Sequence, residues 1–301
     1  MSKGTVHDLG YKRYVGSRRA PSTRWRVIMR NQIAMGWKTW WRYKLAVGAA
    51  VVATFVSGGL MYFANNEILR SVGNTAGGSA MALKIGDAVL PLSIEWFLRV
   101  AFVLSLTLGA TIVATDTHSG AFTFYFVRSV RARDYVIGKL AGYGVLVGSV
   151  IMIPLLVLSG LRLGLSTSSD ELLAHLSVLP KALGVGALAT LVYTAMPLAV
   201  SSIINNRRYA LALWAAYYIV AGNIISVIGI TTKSDIGVLH LPTAINSITY
   251  DLFDVTLFRG FGADVHTNTA IIGLLVQSGI AIAILAFQVS RDHKTGVGGA
   301  S

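Results

Sequence analysis

Residues 136–161 read VIGKLAGYGVLVGSVIMIPLLVLSGL, an apolar run in which Lys139 is the only charged residue. An α-helix needs about 20 apolar residues to cross the roughly 30 Å hydrocarbon core of a bilayer. This run exceeds that length, so it can cross the membrane with some tilt or protrude from it. It predicts a transmembrane helix.

Five further stretches meet the same criterion of length and apolarity. The six expected spans are Leu45–Ala64, Leu92–Ala114, Val136–Leu161, Val178–Ile204, Tyr209–Ile230 and Ala270–Val289. The composition agrees, because 54% of the 301 residues are hydrophobic and only 13% are charged, about half the charged share of a soluble domain. We expect an all-α polytopic membrane protein, with a six-helix domain at 45–289 between a basic tail at 1–44 and a short tail at 290–301.

The cationic residues lie mostly on one side of this topology. Of 26 Lys and Arg residues, nineteen precede span 1, follow spans 2 and 4, or follow span 6, if Lys139 at the start of span 3 is counted with those after span 2, whereas five lie in the other loops. Lys and Arg are enriched in cytoplasmic loops. Both termini are therefore expected in the cytoplasm, and the net charge of +13 is mainly an orientation signal.

A basic, tryptophan-rich segment precedes span 1. Its apolar residues recur every four positions, at Trp25, Met29, Ile33, Trp37 and Trp41. Its cations follow the same step, at Arg26, Arg30, Lys38 and Arg42. This pattern predicts an amphipathic helix at the membrane interface, anchored by Trp25, Trp37, Trp40 and Trp41. A solvated basic helix is the alternative.

The longest outer loop, residues 231–269, also has helical spacing. Its apolar residues are Leu241, Ile245, Ile248, Leu252, Val255 and Phe258. This spacing predicts an amphipathic outer helix before the last span, or a helical pair that dips into the outer leaflet.

The sequence contains no recognisable catalytic or metal-binding motif. It has no cysteine, which excludes disulfides, zinc-thiolate sites, iron–sulfur clusters and cysteine nucleophiles. The pair Gly138-Lys139 is followed by Leu140 and lacks the earlier glycine of a phosphate-binding loop. The six histidines are scattered without metal-ligand spacing. We expect no enzyme activity, no metal and no cofactor in this chain.

Two intramembrane features leave alternatives open. Glu95 and Arg99 lie four residues apart in span 2 and so share a helix face. They predict an ion pair, either structural or lining a substrate route. Small residues repeat with G-x-x-x-G spacing at Gly138, Gly142, Gly144, Gly148, Gly160 and Gly164. This spacing permits close helix packing, within one chain or in a dimer.

The cytoplasmic segment after span 2 is unusually aromatic. It contains Phe122, Phe124, Tyr125 and Phe126 beside several arginines. Aromatic residues flanked by charge indicate a protein-binding surface. They would also suit packing against the N-terminal helix, and both interpretations can hold together.

The run from Asp116 to Lys139 resembles the cytoplasmic segment of type-2 permeases of ATP-binding cassette (ABC) exporters. The resemblance rests on Asp116, Gly120, an aromatic helix at 121–127, Arg131, Arg133 and Gly138-Lys139. As a sequence motif the resemblance covers about 25 residues. The six spans, the N-terminal helix and the outer helix agree with the architecture of that family. Family members often have Glu at the position of His118, leucines at the Phe cluster and Pro at Ser129.

The resemblance implies a permease subunit of a bacterial or archaeal plasma (inner) membrane. It implies a second permease copy or paralogue. It also implies two separate cytoplasmic ATPase chains, which would bind ATP and Mg²⁺. The implied short coupling helix and its surroundings supply the ATPase contact: Asp116, His118, Gly120, Phe122, Phe124, Tyr125, Phe126, Arg128, Arg131, Arg133 and Lys139. A stand-alone membrane enzyme or secondary transporter, and a non-transporting anchor or signalling subunit, are the alternatives.

Overall fold

The computed structural model describes residues 23–38, 41–65, 79–122, 125, 130–166, 168–255 and 265–295. Over these ranges the regular structure is helical, and no β-strand is present among them. The helices are α1 (Arg24–Lys38), α2 (Arg42–Asn65), α3 (Ser79–Thr107), α4 (Ile112–His118), α5 (Ala132–Gly164), α6 (Ser169–His175), α7 (Val178–Ile203), α8 (Arg207–Ala215), α9 (Gly222–Thr232), α10 (Leu241–Leu252) and α11 (Thr267–Thr295).

Six helical segments are long and apolar enough to cross a membrane, which confirms the six expected spans. They are Arg42–Asn65, Ala88–His118, Ala132–Gly164, Ser169–Ile203, Arg207–Thr232 and Thr267–Lys294. The protein is therefore an all-α, multi-pass membrane protein. Most segments extend beyond the expected boundaries because the helices continue into their polar flanks.

Helix α5 lies at the centre of the bundle and packs against α1, α2, α3 and α7. Large side chains from these central helices are fully buried, including Phe97, Tyr143 and Tyr193. Helix α2 and the span Arg207–Thr232, which contains α8 and α9, instead expose many apolar side chains, among them Phe55 and Val227. An apolar exterior of this kind suits a lipid environment or a partner helix.

The glycine pairs of α5 make different contacts. Gly138 and Gly142 face α1, and Gly144 and Gly148 face threonines of α7. These four glycines therefore serve packing within the chain. A Cβ added at Gly160 would meet no atom within 4 Å.

Span 2 is interrupted near its C-terminal end by a single turn of 3-10 helix, Gly109–Thr111, between α3 and α4. The Ser201 hydroxyl of α7 accepts hydrogen bonds from the backbone N–H groups of Val113 and Ala114, each at 3.0 Å. These two groups would otherwise lack partners at the start of α4. Ser201 thereby fixes the direction of α4, which carries Asp116.

The expected outer helix is present as α10, which buries Leu241, Ile245 and Ile248. It packs against α3, α7 and α11. Val255 follows this helix and is buried, whereas Phe258 lies outside the described residues.

Candidate functional site

A polar cluster lies where α1, α4 and α5 meet. The Lys139 Nζ is 2.7 Å from Asp116 Oδ2 and donates a hydrogen bond to Gln32 Oε1 at 2.9 Å. The Tyr135 hydroxyl donates to the same Asp116 oxygen at 2.7 Å. Tyr135 and Lys139 are one helical turn apart on α5, so both can reach a single carboxylate.

This cluster is withdrawn from solvent. The Lys139 side chain is 2% exposed and that of Asp116 is 15% exposed, while Tyr135 is fully buried. A buried charge is tolerated when it is paired and when hydrogen bonds satisfy its remaining groups. The ammonium and the carboxylate both meet that condition here.

Two glycines bring α1 close enough to complete the cluster. A Cβ at Gly138 would lie 2.8 Å from the Trp25 carbonyl oxygen, and one at Gly142 would lie 2.9 Å from the Met29 carbonyl oxygen. Larger residues would hold the two helices apart. The close approach places Gln32, which is 6% exposed, directly over Lys139.

The described aromatic residues of the segment between spans 2 and 3 pack inward. Phe122 is 2% exposed and its ring meets Tyr135 edge to face, with centroids 5.1 Å apart. Tyr125 meets the same ring at 5.6 Å, and its hydroxyl lies within hydrogen-bonding reach of Asn31 on α1. Burial raises the pKa of the Tyr125 hydroxyl, and the nearby Asp116 carboxylate raises it further.

Gly120 ends α4 with a φ of 65°, in the left-handed region. Its N–H donates to the Thr117 carbonyl oxygen at 3.2 Å, as in a helix C-terminal turn. A β-branched residue resists this conformation. The left-handed backbone thus gives a physical reason why glycine occupies position 120.

Other predicted contact residues are exposed. His118, Arg131 and Arg133 lie on the surface, and Asp134 accepts the Arg131 N–H at 3.3 Å where α5 begins. Phe124, Phe126 and Arg128 lie outside the described residues.

The predicted contact set therefore divides into two groups. Asp116, Phe122 and Lys139 are enclosed by their own chain, so in this arrangement they support the surface and do not form it. Gln32 of α1 lies against Lys139, and an ATPase contact by these three residues stays a prediction. Gln32, Tyr135 and Ser201 were missed. The four-residue spacing of Tyr135 and Lys139 at the start of an apolar run was the available signal for Tyr135.

The predicted intramembrane pair is more exposed than expected. Arg99 Nη2 lies 3.5 Å from Glu95 Oε2, but the Arg99 side chain is 62% exposed and that of Glu95 is 26% exposed. Glu95 also accepts hydrogen bonds from Asn246 and Tyr250 of α10. Glu95 therefore joins span 2 to the outer helix, and the guanidinium of Arg99 lies over the Trp96 ring, 4.6 Å from its centre.

The predicted interfacial tryptophans are partly described. Trp37 and Trp41 are 53% and 56% exposed, Trp25 is partly exposed, and Trp40 lies outside the described residues. The face of α1 that contacts α5 holds Ile28 and Gln32. Anchoring by the tryptophans stays a prediction.

Within the described ranges, no group of three or more His, Cys, Asp or Glu side chains could hold a metal ion. No protein-family model matches the sequence, and no curated protein sequence is significantly similar to it.

Proposed function

We propose that this chain is the permease subunit of an ABC exporter. Two copies, or one copy and a paralogue, form the substrate pathway and work with separate cytoplasmic ATPase chains. The observation that supports this proposal most is the buried Lys139–Asp116 ion pair. Together with the hydrogen bond from Lys139 to Gln32, it joins α1, α4 and α5, and the exposed Arg131 and Arg133 lie where α5 begins.

The arrangement suits the transmission of motion from a cytoplasmic partner. Helix α4 is the end of span 2, α5 is span 3, and α1 leads into span 1. A push on the segment between α4 and α5 would reach all three spans, because the ion pair and its hydrogen bonds hold their ends together. Closely packed interiors of this kind transmit displacement with little deformation.

The exposed residues supply the proposed contact. His118, Arg131 and Arg133 form its described rim, and Phe124 and Phe126 remain the predicted aromatic anchors. Buried aromatic anchors dominate the affinity of such interfaces, whereas rim charges mainly change association rate and salt sensitivity. The ATPase groove is therefore expected to be apolar at its centre and acidic at its edge.

The test is purification of the full-length chain in detergent and then in lipid nanodiscs, with the co-purifying proteins identified by mass and an ABC ATPase expected among them. Arg131→Glu with Arg133→Glu should reduce recovered ATPase and its permease-dependent hydrolysis about tenfold, a loss of about 1.4 kcal/mol. The matched control is Arg207→Glu with Arg208→Glu, which reverses two exposed charges in another predicted cytoplasmic turn and should change recovery less than about twofold. Equal losses in both variants, or no ATPase with the wild type, would contradict the proposal.

A further inference from the structure

Two arginines that begin different spans lie together at the end of α3. Arg42 is the first residue of span 1, and Arg207 is the first residue of span 5. The Arg42 Nη1 donates a hydrogen bond to the Thr107 carbonyl oxygen, the last residue of α3, at 3.4 Å. Helix α8, which begins with Arg207, packs against α3 and against the turn Gly109–Thr111 that follows it. The interrupted part of span 2 therefore brings both cations to one place.

The charges of these two arginines are close enough to repel each other. Arg42 is only partly exposed, so water screens the repulsion less than it would on an open surface. Its other contacts are uncharged, because they are the Thr107 carbonyl and the ring of Trp41, whose centre lies 5.8 Å from the guanidinium carbon. An anion bound between the two guanidinium groups would replace this repulsion by two attractions.

Neither arginine forms an ion pair with a carboxylate of the described residues. The sequence has no Asp or Glu in the three stretches that meet here, residues 9–66, 96–115 and 172–234. The next acid along span 2 is Asp116, whose carboxylate is held by Lys139 at 2.7 Å. The chain itself thus leaves the positive charge of this pair uncompensated.

Exposed apolar side chains adjoin the pair on the side of the spans. Leu45 lies three residues beyond Arg42 on the same face of α2, and Val103 lies one turn before Thr107 on α3. Both are exposed, as is Trp41. At roughly 1.5 Å per residue, Leu45 and Val103 are about 5–6 Å further along their helices than the arginine pair. Cations beside exposed apolar and tryptophan side chains are typical of the boundary between headgroups and acyl chains.

We propose that Arg42 and Arg207 together bind the phosphate of one anionic phospholipid, in the leaflet where spans 1 and 5 begin. The charge distribution predicts that this leaflet is the cytoplasmic one. The phosphate accepts hydrogen bonds from both guanidinium groups, whose planar forks match its oxygens. An acyl chain of the same lipid lies against Leu45 and Val103, a contact that a soluble phosphate cannot make. The site does not depend on the permease assignment.

The experiment is native mass spectrometry of the delipidated full-length protein, titrated with phosphatidylglycerol, with phosphatidylcholine of the same chains and with inorganic phosphate as a competitor. Arg42→Gln and Arg207→Gln each remove one cation of the pair. Arg208→Gln is the matched control, because Arg208 is an exposed cation of the same turn that does not act on Arg42. Arg30→Gln removes an exposed cation of α1 and serves as the second control.

We expect Arg42→Gln and Arg207→Gln each to weaken the first phosphatidylglycerol site about tenfold, the effect of about 1.4 kcal/mol, while both controls stay within about twofold. The double variant should lose less than about thirtyfold, since one phosphate contacts both groups and the losses are not independent. Phosphatidylcholine, which has no net charge, should bind the wild type about fivefold more weakly than phosphatidylglycerol. Inorganic phosphate should not compete at equal concentration. Arg207→Lys retains the charge and should retain most of the binding.

Thermal melts of the same proteins separate loss of the site from loss of folding. Without lipid, Arg207→Gln should be at least as stable as the wild type, because the repulsion with Arg42 is relieved. Added phosphatidylglycerol should raise the melting temperature of the wild type and of Arg208→Gln more than that of Arg207→Gln. A residue with a merely structural role would show the opposite order without lipid.

Four results would overturn the proposal. Phosphatidylglycerol bound equally by the wild type and the double variant would show that the pair holds no lipid. A loss in Arg208→Gln as large as that in Arg207→Gln would leave only an effect of overall charge. Equal affinity for phosphatidylcholine would remove the recognition of an anionic lipid. Displacement of the lipid by an equal concentration of inorganic phosphate would make the pair a site for a soluble anion.

Discussion

Replacing Lys139 by Met would leave the Asp116 carboxylate in a site where it is 15% exposed, with the Tyr135 hydroxyl still donating to it. Removing one member of a buried ion pair typically costs about 3–5 kcal/mol, because the remaining charge loses its compensation. Asp116→Asn should cost a comparable amount by isolating the ammonium. The double variant removes both charges and should be much less destabilised than the sum. The cycle should give a coupling energy of at least about 2 kcal/mol.

The measurement is the free energy of unfolding in mixed micelles, followed by circular dichroism for the four members of the cycle. The control is the cycle of Arg291→Met and Asp292→Asn, an ion pair at 3.6 Å in which the Arg291 side chain is 58% exposed and that of Asp292 is 16% exposed, so that only the cation differs strongly in burial. Exposed pairs contribute about 0–1 kcal/mol, so its coupling should be small. Additive losses at Lys139 and Asp116, or a coupling no larger than the control's, would refute the buried ion pair.

Gly120→Val should destabilise the protein by about 1–2 kcal/mol because of the left-handed φ, whereas Gly120→Asn should cost less than half of that; equal thermal shifts would contradict the turn. Glu95→Gln and Tyr250→Phe should couple by about 1–2 kcal/mol, since a hydrogen bond to a charged group is lost. Glu95→Gln and Arg99→Gln should couple by less than about 1 kcal/mol because Arg99 is largely exposed; the reverse order of couplings would contradict the described network. Burial lowers the pKa of His240 below 6.5, so the folded state resists its protonation. The stability of the wild type should therefore fall as the pH drops below 6.5. The stability of the His240→Gln variant should fall less over the same pH range when both are followed by thermal melts.

The spans and the outer helix could be predicted because length and apolarity decide them locally. An apolar run such as residues 140–161 has few alternatives to a membrane helix. The same holds for α10, whose buried face follows from the spacing of Leu241, Ile245 and Ile248. The orientation of the bundle in the membrane stays a prediction from charge.

The interruption of span 2 could not be predicted, because it depends on a distant residue. Ser201 lies more than 80 positions from the two N–H groups that donate hydrogen bonds to its hydroxyl. Likewise, the burial of Lys139 follows from the docking of α1 on two glycines of α5. The sequence contained both glycines but not the identity of the helix that packs on them. Glu95 was identified, yet its partners on α10 come from 151 and 155 positions away.

Site-specific photocrosslinking from the turn before α5, which the charge distribution predicts to be cytoplasmic, tests the central claim most directly. A photoreactive phenylalanine analogue is placed at Arg131 or Arg133 of the full-length chain in intact cells, and at Ser234 of the predicted outer loop as the control. The account predicts an adduct between this chain and an ATP-hydrolysing cassette protein, identified by mass, from positions 131 and 133 and none from 234. Adducts from 131 and 133 that contain no such ATPase would contradict it.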